Sequence, residues 1–240
     1  MWKILDTGPA SAQKNMDLDA KLLEAMRPDD PPLLHLYEWE QDSGTYGYFL
    51  KPDKYLDLAQ AEKWGLSLAR RPTGGGIVFH VCDLAFSALV PAGSPAFSLN
   101  TLDNYNFINN GVKKAVKKFF KLSKGPQLLP TEPMPLDESS RHFCMAKPTI
   151  YDVMLEGKKI AGAAQRRRKQ GYLHQGSIAI ALPQKSFLQN ILLPGTQVLD
   201  AMQQNTFSIL GSDYTPSDLR EVRQQLRELL ILCLGTQWEG

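Results

Sequence analysis

The sequence predicts an α+β fold, with helices packed on mixed or antiparallel sheets. Three observations predict it. Helical apolar periodicity is confined to stretches near 11–26, 101–122 and 216–234. Between them lie short β-rich runs such as LLHLYEW and GIVFHVCDLAFSALV. Several of those runs meet at short glycine-containing turns, as hairpins do.

Taken in order, WKIL (2–5) reads as a first strand. SAQKNMDLDAKLLEAM (11–26) reads as a helix. Ser11 is its candidate N-cap, and Met16, Leu18, Leu22, Leu23 and Met26 recur at helical spacing. Pro28, Pro31 and Pro32 stop it. LLHLYEW and TYGYFL read as strands around a turn at 42–44. LSLARR leads as a strand into three glycines, and the β-rich run after them ends at Pro91. In 101–122, Val112, Val116, Phe119 and Phe120 form an apolar stripe, and Lys113, Lys114, Lys117, Lys118 and Lys121 a wet face. That face lacks interleaved aromatics, so it reads as solvated rather than as a nucleic-acid stripe. Residues 123–149 hold five prolines and read as a long ordered loop. TIYDVMLEGKKIAGAAQRR and GYLHQGSIAIAL read as strands, with turns at 157–158 and 169–171. A last helix, 216–234, starts at Pro216 or Ser217.

Composition bounds the function. At 240 residues the chain suits one large domain or two small ones. A net charge of +2 does not by itself argue for nucleic acid. No apolar run reaches the roughly 18 residues of a membrane span, and MWKILDTGPAS lacks the apolar core of a signal peptide. Cys82, Cys144 and Cys233 have no CxxC spacing, and the four histidines show no ligand spacing. No metal site, membrane or nucleic acid is expected, and a reducing cytoplasm is.

Three stretches carry candidate chemistry. In RRPTGGGIVFH (70–80), the bare backbone of Gly74, Gly75 and Gly76 can approach a ligand closely. Arg70 and Arg71 add planar forks for a carboxylate or phosphate. Neither a P-loop nor a dinucleotide fingerprint is present, and a glycine-rich turn or bulge between strands would explain the same letters. In GKKIAGAAQRRR (157–168), Lys159 sits at a strand start among small residues, suited to an anion or a carbonyl. Its basic end, Arg166–Lys169, reads as a solvated hairpin face or a dock for an acidic partner. In RHFCMAKP, Arg141, His142 and Lys147 flank Cys144, a setting that favours a thiolate. His142 is the candidate base, and an inert half-buried cysteine is the alternative.

Together these stretches resemble the lipoate–protein ligase and octanoyltransferase family, which shares its catalytic fold with biotin protein ligases. NMDLDAKLL (15–23) is similar to the family's early NMALDE-type helix, and LYEW (36–39) with GYF (47–49) to its FYxW and GYF segments. RRPTGGGIVFH is similar to RRxTGGxxVxH, and NYNFINNGVKKAV (104–116) to the helix that follows. Cys144 with IYDVMLEGKKIAGAAQRR is similar to CFxxPSxYELVVxGRKIAGSAQxR, and HQGSI (174–178) to QHGSI. The likeness covers most of 1–182. The chain departs from the pattern at Val81, where the family has Asp, at Leu50, where it has Gln, and in the order His174–Gln175. The GRGRxGR-type loop of biotin ligases is absent.

The resemblance implies a single catalytic domain over 1–240, without the large C-terminal accessory domain of some ligases. It implies a site for an acyl or adenylate group at Arg70, Arg71, Thr73, Gly74, Gly75, Gly76, His80, Trp39, Gly162, Ala163, His174 and Gly176. It implies that Lys159 meets the reacting carbonyl, and that Cys144 falls where a cysteine-dependent octanoyltransferase branch has its nucleophile. The implied reaction attaches an octanoyl or lipoyl group to a lysine of a lipoyl domain. That domain belongs to a 2-oxoacid dehydrogenase E2 subunit or the glycine-cleavage H protein. The donor would be acyl carrier protein, acting through a Cys144 thioester with no bound cofactor. ATP with magnesium, acting through lipoyl-AMP, is the ligase alternative. A non-catalytic binder of lipoyl domains, suggested by Val81 and the His174–Gln175 order, is the third.

Overall fold

The structure is a computed structural model and describes residues 1–211 and 213–235. Its elements run β1 (Lys3–Ala10), α1 (Ala12–Ala25), β2 (Leu33–Trp39), β3 (Ser43–Tyr46), α2 (Leu58–Lys63), β4 (Ser67–Arg70), β5 (Ile77–His80) and β6 (Asp83–Pro91). Then come α3 (Thr101–Phe119), β7 (Gln127–Leu128), β8 (Val153–Leu155), β9 (Lys158–Arg168) and β10 (Gly171–Ala179). The chain ends in α4 (Lys185–Ile191), α5 (Val198–Asn205) and α6 (Pro216–Gly235). Single 3-10 turns lie at Pro52–Lys54 and Ser140–His142.

Two sheets result. A seven-stranded sheet has the order β1-β2-β6-β10-β9-β8-β7, and a three-stranded sheet the order β4-β3-β5. The first is antiparallel except at β1–β2, and the second pairs β3 parallel with β4 and antiparallel with β5. The expected hairpin around 42–44 does not form: β2 stays in the large sheet while β3 founds the small one. Residues 48–50 turn instead of extending the strand, with Leu50 N donating to Gly47 O. The glycine loop connects β4 to β5 across the intervening β3, so it is a crossover at the sheet's end rather than a hairpin turn.

Local causes are plain for the elements the sequence predicted. Ser11 caps α1 by accepting from Lys14 N. Asn100 caps α3 by accepting from Leu102 N. On α3, Lys114, Lys117 and Lys118 are exposed while Ile108, Val112 and Val116 are buried, and Lys121, just past the helix, is exposed too. Among the described residues, no helix is long and apolar enough to cross a membrane.

The main core lies between one face of the large sheet and the α3–α6 pair. Phe86, Tyr172 and Ile178 from the strands meet Val112, Val116, Leu226 and Leu230 there. On the opposite face Leu23 of α1 packs on Leu89 and Leu173. A second core, with Ile77, Phe79 and Phe143, gathers α2, α4 and α5 around the small sheet. The pleat of β10 decides what reaches the site. Tyr172, His174, Gly176 and Ile178 share the main-core face, while Leu173, Gln175, Ser177 and Ala179 point the other way.

Candidate active site

The site forms where the glycine loop, the 142–146 segment and the middle of β9 and β10 converge. It begins with Arg71, just past β4, which is 3% exposed. Its Nε and Nη2 both donate to Gly74 O, at 3.1 and 2.7 Å, so the loop folds over the guanidinium. Nη1 donates to Thr45 O at 3.2 Å. Gly75 has φ +87, and a Cβ there would stand 2.9 Å from Arg71 Nη2. A Cβ on Gly76 would collide with the backbone of His142. Gly75 therefore serves close packing on the buried arginine and Gly76 close packing on the 142–143 backbone, while a Cβ on Gly74 would meet open space.

That packing brings in the thiol. Cys144 N donates to Ile77 O at 3.0 Å, tying the segment to β5. From the far side Thr206 Oγ1 donates to Met145 O and Asn205 Nδ2 to Ala146 O, at 2.8 and 2.6 Å. The half-buried Cys144 Sγ lies 3.8 Å from Arg71 Nη2. The cations adjacent in sequence are engaged elsewhere. Arg141 pairs with Glu138 and Lys147 with Glu132, while the His142 ring lies 4.5 Å from Tyr55 and faces Glu138. The expected His142–Cys144 base pair is not formed; the cation at the sulfur is Arg71.

Lys159 comes from β9, where the register slips: Val153 pairs with Ala161 but Met154 with Lys159. This bulge re-aims the side chain. Lys159 is 2% exposed, donates to Cys144 O at 2.6 Å and pairs with Asp152 at 2.7 Å. Burial raises the Asp152 carboxyl, and the Lys159 charge pulls it back. A Cβ on Gly162 would stand 2.5 Å from Lys159 Nζ and 2.7 Å from Asp152 Oδ1, so only glycine leaves room for the pair.

His80 closes another wall. Its Nε2 lies 2.9 Å from Thr45 Oγ1 and its Nδ1 2.7 Å from Asp83 Oδ2, which also accepts from Ser177 Oγ at 2.6 Å. Asp83 thus holds the loop histidine, while Val81 packs against the second core. The cavity is small, about 40 Å³, and its walls include Met16, Tyr37, Arg71, His80, Cys144, Met145, Lys159, Ala163 and Gln175.

Of the residues singled out by sequence, Arg71, His80, Cys144, Lys159, Gly162, Ala163 and Gly176 line this cavity. Thr73, Gly74 and Gly75 hold Arg71 from behind it, and Gly76 seats the 142–143 backbone. Arg70 is exposed at the rim, its guanidinium 4.7 Å over the Tyr48 ring, with Arg166 at 5.0 Å over the same ring. Trp39 stacks on His80 at 4.4 Å but from an outer groove that runs along α6. His174 does not reach the cavity. It is fully buried on the main-core face of β10, 2.8 Å from Gln165 Nε2, and burial lowers its imidazole to about 3. Gln175 occupies the wall in its place. The sequence reasoning also missed Asp152, Asp83, Thr45, Ser177 and Met145. Asp152 had a readable signal, since a hairpin turning at Gly157 sets it level with Gly162. Asp83 had one as well, three residues after His80.

Residues 11–205 match the model of the lipoyl protein ligase A/B catalytic domain, and the chain belongs to that family. The octanoyltransferase LipM of Anoxybacillus flavithermus is 31% identical over 211 residues, covering 85% of this chain and 74% of that protein. The octanoyltransferase LipM of Bacillus subtilis is 30% identical over 210 residues, covering 85% and 74%. Among solved structures, lipoate-protein ligase A bound with ATP superposes with a TM-score of 0.67 at 22% identity, covering 98% of this chain and 85% of that one. A two-part lipoate protein ligase from Thermoplasma acidophilum, studied with its E2 lipoyl domain, gives a TM-score of 0.70 at 21% identity, covering 98% and 84%. These structural likenesses show the shared fold.

Proposed function

We propose that this chain is an acyltransferase that moves an octanoyl or lipoyl group onto a lipoyl-domain lysine through a thioester on Cys144. The observation that carries the reading is the Cys144 sulfur on the wall of a largely apolar cavity, with Arg71 Nη2 at 3.8 Å. The octanoyltransferase relatives support octanoyl transfer as the reaction.

In the first half-reaction the sulfur attacks the thioester carbonyl of an acyl carrier protein. The carrier's thiol leaves with the proton that Cys144 gives up, and the acyl group stays on Cys144. In the second, the unprotonated amine of the target lysine attacks that thioester. An amide forms, and a proton from the amine restores the Cys144 thiol. Both halves pass through a tetrahedral oxyanion. Arg71 and Lys159 supply fixed positive charge beside it in a site that excludes most water. Lys159 already donates to the Cys144 carbonyl, which holds the nucleophile's backbone still. His80, with a partner on each ring nitrogen, acts as wall rather than base. A free thiol at Cys144 suits a reducing compartment such as the cytoplasm. Lipoyl domains of E2 subunits or of the glycine-cleavage H protein are the acceptors in this reading.

The ligase alternative needs ATP and magnesium. Beside His80 the chain offers one buried, unpartnered carboxylate oxygen, Asp83 Oδ1. Among the described residues no cluster of three acidic, His or Cys side chains is placed to hold a metal. Intact-mass spectrometry after mixing with octanoyl-acyl carrier protein, without ATP, separates the readings. The expected result is one added octanoyl group, lost in Cys144→Ser. No adduct there, with an acyl-adenylate on adding ATP and lipoate, would replace the thioester with the ligase reaction.

A further inference from the structure

Arg71 is a buried cation, and among the described residues its polar contacts are Thr45, Thr73, the Gly74 carbonyl and the Cys144 sulfur. None of these is a carboxylate. A charge removed from water needs a counter-charge or a full set of acceptors. Two routes of two side chains each lead from it to a carboxylate: Thr45 and His80 end at Asp83, and Thr73 and Gln175 end at Asp19, which lies in α1 and is wholly buried. The bond from Arg71 is the shorter on the Asp19 route, 3.1 against 3.4 Å.

The direction of every bond on that route is forced. Asp19 Oδ2 accepts from Ser87 Oγ at 2.6 Å and from Gln175 Nε2 at 2.6 Å. An amide that gives its N–H groups to a carboxylate presents its oxygen at the other end. Gln175 Oε1 therefore faces Thr73 and accepts from its hydroxyl at 2.7 Å. With its proton committed, Thr73 Oγ1 has only lone pairs left, and Arg71 Nε donates to them at 3.1 Å. A line of aligned dipoles thus joins a carboxylate to a guanidinium, and aligned hydrogen bonds reinforce each other in a low-dielectric interior.

We propose that Gln175 is a positioning residue: it couples Arg71 to the Asp19 carboxylate and thereby fixes the guanidinium against the Cys144 sulfur. Its importance to turnover rests on the thioester reading, whereas its effect on the sulfur's surroundings does not. Without this side chain, Thr73 is free to turn its hydroxyl, and Arg71 keeps its bonds to Gly74 and Thr45 but loses the one that ties it to Asp19.

The test is the rate at which iodoacetamide alkylates Cys144 at one fixed pH, read by peptide mapping so that Cys82 and Cys233 do not contribute. The melting temperature of each full-length variant is recorded alongside. Gln175→Leu is expected to slow alkylation about tenfold, the scale of one charge-assisted hydrogen bond. Arg71→Ala should slow it at least as much, and adding Gln175→Leu to it should change nothing further. A purely structural role would slow the double variant beyond the single one. The paired change Asp19→Asn with Gln175→Glu reverses donor and acceptor: the introduced amide donates to the introduced carboxylate and to Ser87. That pair should recover the parental rate to within a few-fold, while each single change stays slow. A parental rate in Gln175→Leu, additivity with Arg71→Ala, or no recovery in the pair overturns the proposal; where Gln175→Leu does not fold, the pair decides. Failure of the thioester reading shows separately, as octanoyl transfer that survives Cys144→Ser.

Discussion

Gly162 is the smallest residue in the site and one of the most constrained. A methyl there would stand 2.5 Å from Lys159 Nζ, so Gly162→Ala must push the lysine off the Cys144 carbonyl. Acyl transfer should fall about a hundredfold, the cost of misplacing a positioned group by roughly an ångström; unchanged turnover would show that Lys159 does not need its place. Removing its partner is a stability question. Asp152→Ala leaves a buried ammonium unpaired and should cost about 3–5 kcal/mol in denaturant unfolding. His174 sets a pH dependence. The unfolded imidazole takes up its proton as pH falls through about 6.5, and the folded one only near 3. Across that window the unfolded state binds the extra proton, so stability drops as pH drops. Between pH 7 and 4.5 His174→Gln should lose about 2 kcal/mol less stability than the parent in urea titrations. An equal loss would mean the imidazole is protonated in the folded chain. Residue types were readable here where contact followed from spacing, as for Lys159 beside Gly162. They were unreadable where strand parity decided: His174 and Gln175 are neighbours, and the pleat sends one into the core and one into the site.

At the level of elements, the long helices were legible because their stripes and caps are local. Ser11→Ala should cost about 1 kcal/mol, as loss of an N-cap bond does. The short helices α2, α4 and α5 escaped notice. Six to eight residues hold fewer than three turns, too few for an apolar period to stand out, and their stability comes from the second core. Yet α5 is the element that clamps the thiol segment. Thr206→Val removes the bond to the Met145 carbonyl and should cost about 1 kcal/mol. Hydrogen exchange should quicken at the amides of 144–146 and not in α1; uniform quickening would argue against a local clamp. Arg141 and His142 beside Cys144 mislead for a similar reason, since both lie in the 3-10 turn at 140–142 and face Glu138.

For the whole molecule, composition and the alternation of elements gave the class correctly, and the family motifs gave the architecture. Strand partners were not readable, because β3 leaves β2 for a sheet whose other members lie more than twenty residues on. The division of labour between cores carries its own expectation. Leu230 is fully buried between α6 and the large sheet, on the face opposite the site. Leu230→Ala should cost about 2–5 kcal/mol while transfer per folded molecule holds steady at low temperature. Loss of turnover in the folded variant would show that the two faces are coupled. The cavity's size has a last consequence. A volume near 40 Å³ accommodates about three waters, not a chain of eight carbons. Two of its walls, Met16 and Met145, are unbranched side chains with three rotatable bonds each. Under the acyltransferase reading the fatty chain acts as its own wedge, swinging thioether arms aside in a barrel that keeps its backbone still. Chain-length preference then becomes a matter of how far two methionines can retreat.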